Sequence, residues 1–189
     1  THSPTMPAHA TPHTRRARTL LLLLTALASA LACQHLRTHD AIADTIQLLR
    51  DMAPTQPCHH QEVTFRFPDN LLTNTHPQQA AVTAFHILRH LFSILSSSSI
   101  PQQWQTQAQH QLLSNLHHYI HHLEQCLPAN GPLFQRRGPH NMLLSINKYF
   151  ADIQHFLLAH NHSVCAWDHI RLQARACLQR VDTLMRQMK

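Results

Sequence analysis

The sequence predicts an all-α fold: a five-helix up-up-down-down bundle whose first two helices are joined by a long crossover loop. Three observations predict it. Apolar residues recur at steps of three and four through five separate stretches. Glycine occurs only at Gly131 and Gly138, while proline gathers at a few joints, which favours long helices over many tight β turns. The first joint is long, and a long joint permits a crossover between parallel helices where a short one makes antiparallel neighbours.

The bundle is preceded by a segment with a different pattern. Arg15, Arg16 and Arg18 form a basic patch, residues 20–24 are all leucine, and the apolar run continues to Leu27 with one threonine. Ala30-Leu31-Ala32 is a small-x-small cleavage pattern. This is a secretory signal, too short to span a bilayer. Residues 1–32 are therefore expected to be an N-terminal extension and signal peptide that is removed, with Met6 a candidate initiator. Residues 33–189 are expected to form a single helical domain with one core.

The first helix, α1, is expected over about 37–52, with Ile42, Ile46 and Leu49 on one face and Pro54 ending it. Residues 53–77 form the long loop. Within it Val63-Thr64-Phe65-Arg66-Phe67 alternates like a strand but has no partner run, so it is expected to be extended and to pack its aromatics on the bundle. Helix α2 covers about 77–95, with Pro77 in the tolerated first turn. Its stripe of Ala81, Phe85, Leu88, Phe92 and Leu95 is widened by Ile87, Leu91 and Ile94, making it the most buried helix. Residues 96–99 form a turn. Helix α3 runs from near Pro101 to about 127, with Leu112, Leu116, Tyr119, Leu123 and Cys126 in phase. A loop over 128–139 carries Arg136 and Arg137. Helix α4 covers about 141–159 and α5 about 165–188.

Charge and cysteines bound the function. The whole chain has 15 basic and 9 acidic residues. Loss of the three signal arginines leaves 12 against 9, or +3, without the dense basic stripe of a nucleic-acid binder. No nucleic-acid partner is therefore expected, and no later apolar run is long enough to span a bilayer, so no membrane insertion is expected either. The five cysteines, at 33, 58, 126, 165 and 177, imply two bridges and one leftover in a secreted chain. Cys177 lies on the apolar stripe of α5 with Trp167, Ile170, Ala174, Val181 and Leu184, the setting of a buried small hydrophobe. The remaining four allow three pairings.

Candidate chemistry is sparse. The sequence has no glycine-rich phosphate loop, no nucleophile elbow and no paired-carboxylate signal, so no enzyme and no cofactor are expected. His117, His118, His121 and His122 make two i,i+4 pairs on α3 that could chelate a metal, but no carboxylate sits among them. A solvated polar face is the preferred reading, and no metal site is assigned. Asn161-His162-Ser163 is the one N-glycosylation sequon in the chain, with Asn161 between α4 and α5. At 100° steps along α5, Asp168, Arg171, Arg175, Gln179, Asp182, Arg186 and Lys189 gather on an arc away from the apolar stripe. Such an arc is either a solvated face with i,i+4 ion pairs or a basic binding strip, arginine being enriched at binding hot spots.

Several segments stand in a telling order. They are Cys33-Gln34-His35-Leu36-Arg37, Leu48-Leu49-Arg50-Asp51-Met52-Ala53-Pro54 and Phe65-Arg66-Phe67-Pro68. They continue with Leu123-Glu124-Gln125-Cys126, Ser145-Ile146-Asn147-Lys148-Tyr149-Phe150, and Cys165-Ala166-Trp167-Asp168 running on to Arg171. Together they resemble the type I interferons, and most closely the beta-like interferons of birds. The resemblance implies a five-helix cytokine bundle with bridges Cys33–Cys126 and Cys58–Cys165. It implies a secreted, extracellular ligand that joins two cytokine-receptor chains and starts Janus-kinase signalling toward an antiviral state. The high-affinity chain would meet α1, the first loop and α5, and the lower-affinity chain the face of α2, α3 and α4. By position Arg171, Arg175 and Gln179 fall on the α5 contact. Glu62 stands where mammalian members carry a prominent loop arginine, and Arg66 is the nearest loop cation. The alternatives are another secreted helical cytokine or hormone, against which the C-A-W-D-x-x-R motif argues, and a helical carrier, which would need a large internal cavity.

Overall fold

The computed structural model describes residues 20, 39–54, 58, 65–73, 76–104, 107–127 and 140–188. The signal segment apart from Leu20, and Cys33, Glu62, Val63, Thr64, residues 128–139 and Lys189, lie outside the described residues. Among the described residues five long helices make up the fold: α1 (His39–Asp51), α2 (Pro77–Leu95), α3 (Gln107–Cys126), α4 (His140–Ala159) and α5 (Val164–Gln187). No strand occurs among the described residues; Phe65 to Pro68 carry no regular structure.

Helix directions follow from the pairs that touch. The end of α1 meets the start of α5, where Arg171 reaches the Leu49 carbonyl. The turn after α2 meets the same end of α5, where Trp167 Nε1 donates to the Ser99 carbonyl at 2.9 Å. Thus α1 and α2 both run against α5. Gln109 near the start of α3 bonds the Leu95 carbonyl at the end of α2, so α3 returns antiparallel. Thr83 touches Met142, and further along His90 touches Asn147, so α4 runs parallel to α2. Among α1, α2, α3 and α5 the order is up-up-down-down, and α4 adds a further rising helix between the two descending ones.

The core is one continuous cluster. Helix α2 is its spine: Ala80, Ala84, Ile87 and Leu88 are sealed from solvent, and α3, α4 and α5 all pack against it. Burying a side chain such as Leu88 contributes roughly 1.5–3 kcal/mol. Two polar contacts inside the bundle tie helices together. Thr45 on α1 accepts from Asn115 on α3, and the Gln109 amide satisfies a carbonyl that the end of α2 leaves open.

One boundary departs from expectation. Helix α3 does not begin at Pro101. A 3-10 turn over Gln102–Trp104 precedes it, and the α-helix starts at Gln107. The tighter turn, closed by Trp104 N–H to the Pro101 carbonyl at 2.8 Å, drops Trp104 into the core edge-on to Trp167.

Candidate interaction face

Ser163 opens α5 as its N-cap, its hydroxyl accepting from Ala166 N–H at 3.2 Å. Four residues after this cap, Trp167 is fully buried against Trp104, which fixes the rotation of the helix. That rotation decides where every other α5 residue points.

It overturns the solvated placement of Asp168 and Arg171. Asp168 is 3% exposed and Arg171 7%. The Arg171 Nε donates to Asp168 Oδ1 at 2.7 Å, and its Nη1 donates to the Leu49 carbonyl at 3.0 Å. Leu49 is in the last turn of α1, where carbonyls lack helical partners. The helical wheel separates Arg171 correctly from the apolar stripe. It cannot show that the end of α1 lies over that arc.

On the other flank of α5 the first loop is laid down in register. Cys58 is bridged to Cys165. Phe65 packs edge-on to Phe156 and His169, and Phe67 packs edge-on to Tyr149. The Arg180 guanidinium lies 4.3 Å from the centre of the Phe67 ring, and its Nε reaches Asp69 at 3.3 Å. Gln187 Nε2 donates to the Leu72 carbonyl at 2.8 Å. From Phe65 at His169 to Leu72 at Gln187, the loop runs alongside α5. Phe65 and Phe67 face inward and Arg66, between them, is exposed, as the alternation in sequence predicts.

Two seams therefore bound the outward face of α5: the end of α1 at Arg171 and the loop at Arg180. At 100° per residue, Leu172, Arg175, Gln179, Thr183 and Arg186 fall between them. Gln179, Thr183 and Arg186 are exposed, while Leu172 and Arg175 are half-buried. Arg186 is held by two bonds to Asp182, at 2.8 and 3.0 Å. The face offers a half-buried aliphatic and arginine flanked by exposed polar groups, a composition suited to binding and not to bond-making chemistry.

Sequence reasoning did not single out Arg180 or Gln187 as the residues that hold the loop. Their partners are more than a hundred residues away, and no local pattern marks them.

The lone cysteine is as expected. Cys177 is free and buried, its thiol 3.4 Å from the Tyr149 hydroxyl, which also meets Gln173. Burial raises the thiol pKa to about 11 and raises that of Tyr149 as well. Cys126 is disulfide-bonded, and its partner lies outside the described residues. On α3, His117, His118 and His121 are exposed and His122 is half-buried, with the His118 and His122 rings 4.2 Å apart.

Residues 34–188 match the family model of the interferon alpha/beta domain. The chain belongs to the type I interferon family. Interferon type B of Gallus gallus is 52% identical over 174 residues, covering 90% of this chain and 86% of that protein. The interferon of Meleagris gallopavo is 45% identical over 171 residues, covering 88% and 89%. Among solved structures, zebrafish interferon 1 superposes with a TM-score of 0.66 at 18% identity, over 81% of this chain and 97% of that one. The last shows the fold, an all-α cytokine bundle. As an interferon the chain is a cytokine and not an enzyme. No helix among the described residues is long and apolar enough to cross a membrane.

Proposed function

We propose that this interferon is secreted after loss of residues 1–32 and joins two cytokine-receptor chains at the cell surface. Juxtaposed receptors then activate Janus kinases and drive cells into an antiviral state. The observation that carries the reading is the tethering of three segments into one surface. The Arg171–Leu49 bond holds α1 to α5, and the Cys58–Cys165 bridge, Arg180 and Gln187 hold the first loop to α5. Segments ordered before binding do not have to be ordered by it, which lowers the cost of association.

On this reading the high-affinity chain meets Arg175, Gln179 and Arg66, with Glu62 on the same loop. Arg171 acts by position, holding α1 and α5 together with its guanidinium turned inward. The lower-affinity chain meets the face of α2, α3 and α4. On this reading the second bridge is Cys33–Cys126, as the resemblance to the family implies; the pairing of Cys58 with Cys165, the bonded state of Cys126 and the free Cys177 support it.

The test is purified mature protein applied to cells of the source species, with and without each receptor chain. Induction of antiviral genes that disappears when either chain is deleted is the expected result. Full induction without both chains would overturn the reading.

A further inference from the structure

Histidines are divided unevenly between the two proposed receptor faces. The outward face of α5, between its two seams, carries none among the described residues. His169 of that helix is turned to the loop seam, against Phe65. The ridge that α2 turns outward between α3 and α4 is different. On one flank Phe92 packs against His117 of α3, the ring centres 6.1 Å apart. On the other, His90 is hydrogen-bonded to Asn147 of α4 at 2.9 Å and stacks flat on Phe150 at 4.6 Å. At 100° per residue, Arg89, Ser93 and His86 fall between Phe92 and His90. Arg89 is exposed, its guanidinium 5.5 Å from the centre of the Phe85 ring. The adjoining flank of α3 presents His110, His117 and His121, all exposed. The ridge is a fixed cation among aromatic rings, with imidazoles on both sides.

Charge on this face is one-sided among the described residues. Arg89 is the permanent charge of the ridge. Glu124, on the α3 flank, is a carboxylate 4.0 Å from His121. The flank of α4 that faces α2 offers Asn147 and Gln154, which carry no charge; Lys148 and Asp152 lie further round that helix. His86 shows what such a setting does to an imidazole. Burial first, and then His90 and Arg89, lower its pKa to about 4. A partner laid over the ridge would take water from the neighbouring imidazoles and leave Arg89 beside them. Both effects disfavour the charged ring. Docking therefore favours neutral imidazoles, so affinity is complete above the ordinary imidazole pKa and is lost as the pH falls through it.

We infer that the α2–α3–α4 face is acid-labile: on mild acidification the lower-affinity receptor chain leaves this ridge while the high-affinity chain stays on α5. The inference rests on the receptor reading above and adds the order in which the assembly comes apart in an acidified compartment. An imidazole whose pKa falls from about 6.5 to about 5.5 on docking weakens binding about fivefold at pH 5.5, and two such groups about thirtyfold.

The test is the secreted full chain bound to the immobilised ectodomain of each receptor chain at about pH 7.4 and about pH 5.5, with circular dichroism at both to follow the fold. The lower-affinity chain should bind about thirtyfold more weakly in acid, and the high-affinity chain should change less than about twofold. His90→Gln with His117→Gln should bind as wild type near neutrality and lose most of the acid effect. His90 also packs on Phe150, so His117→Gln with His121→Gln, both exposed, repeats the test without touching the core. An acid response equal to wild type in both double variants, or tighter binding in acid, would overturn the inference and leave the cytokine reading intact. Wild-type affinity of Arg89→Ala for the lower-affinity chain near neutrality would instead remove this face from the receptor reading, and the inference with it.

Discussion

Arg171 and Leu49 lie 122 residues apart in the chain and are joined by a 3.0 Å bond from a guanidinium to a helix-end carbonyl. The same guanidinium neutralises Asp168 out of reach of solvent. A residue that resembles a receptor contact by position is thereby a structural tie between the two helices that frame the proposed binding face.

Arg171→Ala should destabilise the fold. It removes one member of a buried ion pair, a change that costs about 3–5 kcal/mol, and leaves a helix-end carbonyl without its cation. Chemical denaturation should show a clear fall in midpoint. Replacing Asp168 and Arg171 together by leucine and methionine should recover most of the loss. A wild-type midpoint in Arg171→Ala would refute the structural role.

Arg175→Ala, Gln179→Ala and Arg66→Ala should leave the unfolding midpoint unchanged and weaken binding to the high-affinity receptor chain. A hot-spot arginine is worth about 2 kcal/mol, or about thirtyfold in affinity. Surface binding measurements on the folded variants decide. Wild-type affinity in all three would remove this face from the proposal.

Arg180→Ala should loosen the first loop without unfolding the bundle. Its cation–π contact with Phe67 is worth about 0.5–2 kcal/mol, and the pairing with exposed Asp69 adds little. Hydrogen exchange should quicken over residues 65–72 and remain slow in α2. Receptor affinity should fall although Arg180 lies in the loop seam, because the loop then has to be ordered on binding. Unchanged exchange in the loop would argue against the tether.

Stability should decline on mild acidification through His86. Burial, with help from His90 and Arg89, lowers its pKa from 6.5 to about 4. Its Nε2 is buried with no hydrogen-bond partner among the described residues. Between pH 6.5 and about 4 the unfolded chain binds the proton more readily than the folded one. The stability His86 contributes is therefore complete above pH 6.5 and is lost as the pH falls toward 4. His86→Gln should flatten the pH dependence of the melting temperature across that window, and an unchanged slope would exonerate this residue.

Cys177 should resist alkylation in the native protein and react promptly once the chain is unfolded. Its thiol is sealed in the core and burial holds its pKa at about 11, so the reactive thiolate is scarce at neutral pH. Non-reducing peptide mapping should find it unpaired and recover Cys58 with Cys165. A bridge through Cys177 would contradict the fold at that position.

The sequence by itself determined the five helices and their inward faces. Apolar spacing, the stop at Pro54 and the start at Pro77 are local properties, and each helix is long enough for its periodicity to be unambiguous, although α3 starts at Gln107 and not near Pro101. Sequence also marked Cys177 as the unpaired cysteine and Phe65-Arg66-Phe67 as an extended segment with its ends inward, because a single stripe or alternation settles each. Tertiary structure alone decided which polar residues of α5 meet solvent. A helical wheel knows one buried side, whereas α5 is covered by α2 and α4 on its apolar stripe, by α1 at Arg171 and by the loop at Arg180. Asp168 and Arg171 went inside because the end of α1 offers an open carbonyl there, and Arg180 became a tether because Phe67 and Asp69 arrive from 111 or more residues away. Such pairings depend on where distant segments come to rest, and no periodicity within one helix encodes that.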